Sequence, residues 1–165
     1  MRVLRCAMIA VPLWAMSLDS GSAADRDRHD PLRFFEGTTE SISTVKVIFK
    51  KPYRTRALGT GHIDNGRLEL VQRVEREGHP TKIRRWSIRQ LSPGHYSGTM
   101  SDAVGPVVID EVDGRFRFRF KMDGHLSVEQ WLTPKEDWKS AGNSLTVRRL
   151  GIKVGSSEGI IRKIG

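Results

Sequence analysis

Residues 115–122 read Arg115-Phe116-Arg117-Phe118-Arg119-Phe120-Lys121-Met122, four cations alternating with four apolar side chains. A period of two is that of a half-buried β-strand, with the phenylalanines and Met122 on the core face and the cations on the solvent face. Asp113-Gly114 precedes the stretch and has the composition of a two-residue type I′ hairpin turn. That turn sets Ile109 opposite Phe118, Val107 opposite Phe120 and Glu111 opposite Phe116, while Asp110 meets Arg117 on the outer face. The apolar sides agree, which supports the register.

Asp123-Gly124 follows the stretch. A two-residue loop there would set Phe118 against Glu129, mixing core with solvent. A three-residue loop, Met122-Asp123-Gly124, sets Phe120 against Leu126, Phe118 against Val128 and Phe116 against Gln130, and is the one expected. Further out, Asn65-Gly66 predicts a hairpin with Ile63 opposite Leu68, Gly61 opposite Leu70, Gly59 opposite Gln72 and Ala57 opposite Val74; His62 meets Glu69 outside. Other strands are expected near Ser41–Phe49, Lys82–Gln90, Tyr96–Met100, Ser144–Leu150 and Glu158–Ile164. Asp30-Pro31-Leu32-Arg33-Phe34-Phe35-Glu36-Gly37 reads as one short helix, with Asp30 as its cap, Pro31 in its first turn and Gly37 at its end.

The fold class is therefore all-β. Eight to ten sequential strands joined by tight turns make a meander, and a meander with one apolar face closes most economically into an antiparallel up-and-down barrel of lipocalin/calycin-like build. The alternative, a β-sandwich, prefers longer crossover connections than the chain provides.

The start of the chain reads differently. Arg2 and Arg5 are followed by the apolar run Cys6–Met16 and by small residues at Gly21-Ser22-Ala23-Ala24, the pattern of a secretory leader. The run is shorter than the roughly 20 residues that span a bilayer. Residues 1–23 are thus expected to be a signal peptide and 24–165 a single barrel domain, exported and periplasmic. Cys6, the single cysteine of the 165-residue chain, lies inside the leader and is poorly placed for lipidation. The mature chain would be soluble, with no disulfide, thiol nucleophile or thiolate metal site. The formal charge of the full chain is +9; loss of Arg2, Arg5 and Asp19 (+9 − 2 + 1) would leave +8, a strongly basic domain attracted to anionic surfaces.

No phosphate-binding glycine loop, nucleophile elbow or helical histidine pair is present, so neither a cofactor nor a metal is expected. His62, His79, His95 and His125 all fall at or beside turns. The polar residues on the core face carry more. Gln72, Glu111 and Gln130 face inward by the registers above, Arg84 joins them if Trp86 and Ile88 do, and Asp102 joins if its strand runs that far. Arg84 then either forms an internal pair with Glu111 or Asp102, or fixes the carboxylate or phosphate of an amphipathic ligand. Gly59 and Gly61 favour the second reading by leaving room inside. Trp86, Phe116 and Phe118 would lie near such a ligand, and Trp131, on the outer face in this register, less directly. The outer stripe Arg115, Arg117, Arg119 and Lys121, about 20 Å long at roughly 3.3 Å per residue, could lie along an anionic membrane surface. No aromatic residue of the strand shares its face with the stripe, so nucleic-acid binding is not expected.

Several segments resemble a known family. Phe34-Phe35-Glu36-Gly37, Arg84-Arg85-Trp86-Ser87-Ile88 and Tyr96-Ser97-Gly98-Thr99-Met100-Ser101-Asp102-Ala103-Val104-Gly105 occur in order, followed by Glu129-Gln130-Trp131-Leu132 and Leu150-Gly151-Ile152-Lys153-Val154-Gly155. Together they resemble domain-of-unknown-function family 3833 of Gram-negative envelope proteins, which implies a lipocalin-like fold and an envelope location. The chain departs from that pattern in lacking a usable lipidation cysteine, in having Gln72 where an acidic residue is expected, and in having Glu129-Gln130 where two aspartates are expected.

Three function classes follow. The first is a non-enzymatic periplasmic binding barrel for a small amphipathic or acidic lipophilic ligand. The second is an envelope interaction protein that uses a basic outer surface and no cavity. The third is an isomerase- or cyclase-like enzyme with Glu111 or Asp102 as base.

Overall fold

A computed structural model describes residues 30–165; the expected signal peptide, residues 1–23, lies outside the described residues. Asp30 caps a single-turn helix, α1 (Pro31–Phe34), by accepting a 2.9 Å hydrogen bond from the Leu32 amide, and Pro31 takes the first position as expected. Ten strands follow: β1 (Gly37–Val47), β2 (Tyr53–Asp64), β3 (Arg67–Glu75), β4 (Lys82–Ser92), β5 (His95–Met100), β6 (Ala103–Val112), β7 (Arg115–Met122), β8 (Leu126–Pro134), β9 (Ser140–Arg149) and β10 (Ile152–Lys163). Each pairs antiparallel with its neighbours in sequence, and β1 pairs with β10, closing the barrel. Every strand thus has two partners and no edge is left open.

The Asn65-Gly66 hairpin has the expected register throughout, from Ile63 opposite Leu68 to Ala57 opposite Val74. Both turn residues have positive φ, as a type I′ turn requires. Asp113-Gly114 behaves alike and sets Ile109 opposite Phe118 and Glu111 opposite Phe116. Beyond Val108 this ladder breaks, and Val104 pairs with Lys121 instead of continuing the frame, so the expected Val107–Phe120 pair does not form. The cause is local. Pro106 has no N–H to donate, and Gly105, at φ 82°, turns the strand out of register.

The third turn corrects an expectation. Its loop has three residues, but they are Asp123-Gly124-His125, so Met122 stays in its strand opposite Leu126. Phe120 therefore faces Val128, Phe118 faces Gln130 and Phe116 faces Leu132. The faces are as expected, and the pairing is displaced by two residues along β8. The observed register places Leu132 against Phe116, and both are fully buried. The expected one would have set Leu132 against Gly114.

Burial along the inner face is uneven. Thr39, Leu68, Ile88, Tyr96, Ile109, Phe116, Leu132, Ala141 and Ile161 all lie toward one end and are excluded from solvent. That end is stoppered by Leu32, Phe34 and Phe35, and Trp138 from the β8–β9 loop packs edge-on against Phe116 at 6.3 Å. Tyr96 ties the stopper to the wall by donating its hydroxyl hydrogen bond to Asp30, the residue that also caps α1. Burial, together with the Asp30 and Glu111 carboxylates, pushes the Tyr96 hydroxyl far above its ordinary pKa. At the other end the inward residues Val45, Thr55, Gln72, Val74, Arg84, Met122, Leu126, Val147 and Ser157 are only partly buried. The barrel is a cup, solid at the helix end and open at the end formed by the β1–β2, β3–β4, β5–β6, β7–β8 and β9–β10 turns.

Candidate functional site

The cup has a floor of Leu70, Trp86, Met100, Phe118, Phe120 and Val128. Phe120 meets Trp86 edge-on at 6.0 Å. On one wall, β3 and β4 pair Gln72 with Arg84 and Leu70 with Trp86, putting all four on the inner face. The Trp86 indole N–H donates to Gln72 Oε1 at 2.8 Å, which satisfies its one polar atom and fixes the amide. Five strands from β4 in either direction, β9 forms the opposite wall together with its neighbour β8. There Gln130 Nε2 donates to Asn143 Oδ1 at 2.7 Å, with Ser157 beside them on β10.

The charged group of the cup is a triad. β5 ends at Met100, short of Asp102, and the two-residue turn Ser101-Asp102 leads into β6. Asp102 nevertheless folds inward, its side chain only 11% exposed. It accepts from Arg84 Nε at 2.8 Å and from Lys82 Nζ at 2.9 Å. Burial pushes the Asp102 carboxyl upward, but the hydrogen bonds and charges of Lys82 and Arg84 outweigh it, and the net position is below the usual carboxylate range. Two cations face one anion, so the triad carries net positive charge. Arg84 spends only Nε on Asp102; its terminal nitrogens have no protein partner among the described residues. A carboxylate held ionised in this way accepts protons poorly near neutrality, which gives Asp102 little capacity as a general base.

Gln72, Arg84, Trp86, Phe118 and Gln130 all line the inside, as the sequence predicts, and Asp102 joins them from the turn after β5 rather than from an extended strand. The remaining site expectations are corrected. Glu111 is exposed at the stoppered end, its carboxylate near Gly94, and does not meet Arg84. The displaced β8 register also separates it from Gln130. Phe116 belongs to the solid end, packed against Tyr96 at 6.5 Å and Trp138. Trp131 is on the outer wall, the face its register predicts and away from the cup, with the Arg115 guanidinium 4.5 Å and the Arg117 guanidinium 5.7 Å from its ring. Gly59 and Gly61 leave no room: a side chain on Gly61 would run into the Phe35 backbone carbonyl, and one on Gly59 into Thr39 and Leu70. Lys82 was missed, although its spacing of two from Arg84 puts it on the same face.

The outer basic stripe is largely committed. Asp110 takes Arg119 at 2.6 Å, Arg117 at 3.6 Å and His95 at 3.1 Å, and Trp131 covers Arg115 and Arg117. Asp110 too is held below the usual range; burial raises it, but the hydrogen bonds from His95 and Arg119 and the two arginine charges prevail. Among the described residues no three His, Cys, Asp or Glu side chains come together as a metal site would need.

Both depressed carboxyls give a signed pH dependence. A group whose folded pKa lies below its unfolded value near 3.9 stabilises the fold fully above that value and stops doing so as pH falls through the folded pKa. Replacing Asp102 by Asn is therefore expected to cost about 1–2 kcal/mol at neutral pH, by unpairing Arg84 and Lys82. The gap between parent and variant should begin to narrow as pH drops below about 4 and close only below the lower folded pKa, where the parent's carboxyl protonates. Thermal melts of the two proteins across that range measure it. A gap that persists unchanged in acid would mean that the ion pairs contribute nothing.

No family model matches the sequence, and neither does any curated protein. Among solved structures the chain is similar to the S-type phycobiliprotein lyase CPES from Guillardia theta, with a TM-score of 0.64 at 9% identity over 81% of this chain and 90% of that one. It is also similar to Rv2717c from M. tuberculosis, with a TM-score of 0.61 at 12% identity over 81% of this chain and 95% of that one. What these proteins share with the chain is the fold, a closed lipocalin/calycin-like β-barrel.

Proposed function

We propose that the protein is a non-enzymatic binding barrel whose open cup takes a small amphipathic ligand with an anionic head. The apolar part would rest on Trp86, Phe118 and Phe120, and the head would meet the terminal nitrogens of Arg84. The observation that carries this reading is the Lys82–Asp102–Arg84 triad. A net positive, partly desolvated group stands where the floor of the cup gives way to solvent, with a guanidinium fork that suits a carboxylate, phosphate or sulfonate. Gln72, Gln130 and Asn143 offer neutral hydrogen bonds across the cup. The likeness in fold to a phycobiliprotein lyase is compatible with such a cup. In this reading the chain is exported to the periplasm by the leader at residues 1–23, and the resemblance to the envelope family 3833 supports the same destination.

Native and denaturing mass spectra of one preparation from a Gram-negative periplasm test the proposal. A native mass that exceeds the denatured mass by one discrete small-molecule increment is expected, and titration with anilinonaphthalene sulfonate, an anionic amphipathic probe, should saturate at one site per chain. Absence of both a retained molecule and probe binding would overturn it.

A further inference from the structure

The open rim of the cup carries a feature that the cup does not use. In the β1–β2 turn, Phe49 is wholly exposed, at 103% of its reference area, and Ile48 beside it is half exposed. In the β9–β10 turn Leu150 is 79% exposed, and Ile152, the first residue of β10, is 68% exposed. The two turns are neighbours, since the Ile48 amide donates to the Val154 carbonyl at 3.0 Å. Four large apolar side chains thus project from one corner of the rim without packing against the core.

Their backbone conformation sharpens the point. Phe49 has φ 61° and Leu150 has φ 48°, both left-handed. Asn, Asp and Gly occupy that region at lower cost, and Asn65-Gly66 and Asp113-Gly114 fill the two-residue turns of the same type as Leu150-Gly151 with such residues; a bulky side chain there is strained. Phe49 and Leu150 therefore strain the backbone and expose apolar surface, and the fold gains no packing from either.

The charge that flanks the two turns in sequence is of one sign. Lys46, Lys50 and Lys51 flank Phe49, and Arg148, Arg149 and Lys153 flank Leu150 and Ile152, with no acidic residue in 46–52 or 146–157. None of the six forms an ion pair among the described residues. Exposed apolar tips set in a ring of cations match the interface of an anionic bilayer, where the tips enter the headgroup region and the cations meet lipid phosphates.

We infer that this two-turn corner docks the barrel on an anionic lipid surface, with Phe49 and Leu150 inserted and the mouth of the cup held at the membrane. The docking stands independently of what the cup binds.

The test uses the full chain with no ligand added, and vesicles of phosphatidylcholine alone or of equal parts phosphatidylcholine and phosphatidylglycerol. The readout is the difference between parent and corner variants, because the apolar run Cys6–Met16 is common to all of them. The parent should sediment with the mixed vesicles, less so as salt rises. The double variant Phe49→Asn, Leu150→Asn should lose at least about tenfold in partitioning, while its thermal midpoint stays level or rises as the backbone strain is relieved. A Phe49→Trp variant should show a blue shift against the parent spectrum on mixed vesicles only. Equal binding by the double variant, equal binding to both vesicle types, or a fall of several degrees in its midpoint would each overturn the inference. So would a concentration-dependent dimer, without vesicle binding, that the double variant abolishes; the corner would then seat a second copy of the chain. Loss of the cup's ligand with vesicle binding intact would sink the proposed function and leave this inference standing.

Discussion

Gly61→Ala is expected to destabilise the protein by about 2–3 kcal/mol, the upper part of the range for overpacking a filled core. The added methyl would point from β2 at the Phe35 carbonyl carbon and oxygen, with Leu68 Cδ1 only 3.1 Å away. Backbone atoms cannot rotate aside as a side chain can. Either the junction of α1 and β1 moves, lifting Leu32, Phe34 and Phe35 out of the barrel end, or β2 itself bends. Gly59→Ala on the same strand is the control, because its methyl would meet the side chains of Thr39 and Leu70, which can adjust. It should cost no more than about 1 kcal/mol. At roughly 2–4 °C per kcal/mol for a domain of this size, the Gly61 variant should melt about 4–12 °C below the parent. Its amides around α1 should also exchange with solvent faster than those of the Gly59 variant. Equal losses from the two substitutions would mean that backbone collision with the stopper is not the cause.

The second large effect concerns binding. Arg84→Ala should weaken an anionic amphipathic ligand, read first with anilinonaphthalene sulfonate, by about 30- to 100-fold, the equivalent of about 2–3 kcal/mol for a charge-assisted contact. Arg84→Lys should recover only part of that, since an ammonium keeps the charge but lacks the planar fork. Asp102→Asn supplies the opposite sign. It removes the one carboxylate that competes for Arg84 and Lys82, so affinity should rise even as stability falls. A structural role for the triad would instead move both variants the same way. Retention of parental affinity by Arg84→Ala would remove Arg84 as the anchor.

Sequence and tertiary structure divide the account of this protein along a physical line. Wherever a signal was local, the sequence alone was sufficient. The alternation in 115–122 sets the faces of β7, and Asn65-Gly66 and Asp113-Gly114 admit so few backbone conformations that each turn dictates the register of the strands next to it, in β6 as far as Val108. An all-β meander closing into a barrel follows from those signals, as does the inward set Gln72, Arg84, Trp86 and Gln130. Elsewhere competing packings had to be weighed against one another. Asp123-Gly124 permits more than one three-residue loop, and burial of Leu132 against Phe116 decides between them. Val47 ends β1 and leaves Phe49 in a turn, although its residue type reads as strand. Which end of the barrel each inward residue occupies depends on ten registers taken together. Closure of the ring separates Glu111, at the stoppered end, from Arg84, at the mouth, and brings Lys82 and Asp102 to Arg84 across a turn. Side-chain period tells inside from outside. The level within the barrel, and therefore which polar residues can meet, is a property of the closed sheet alone.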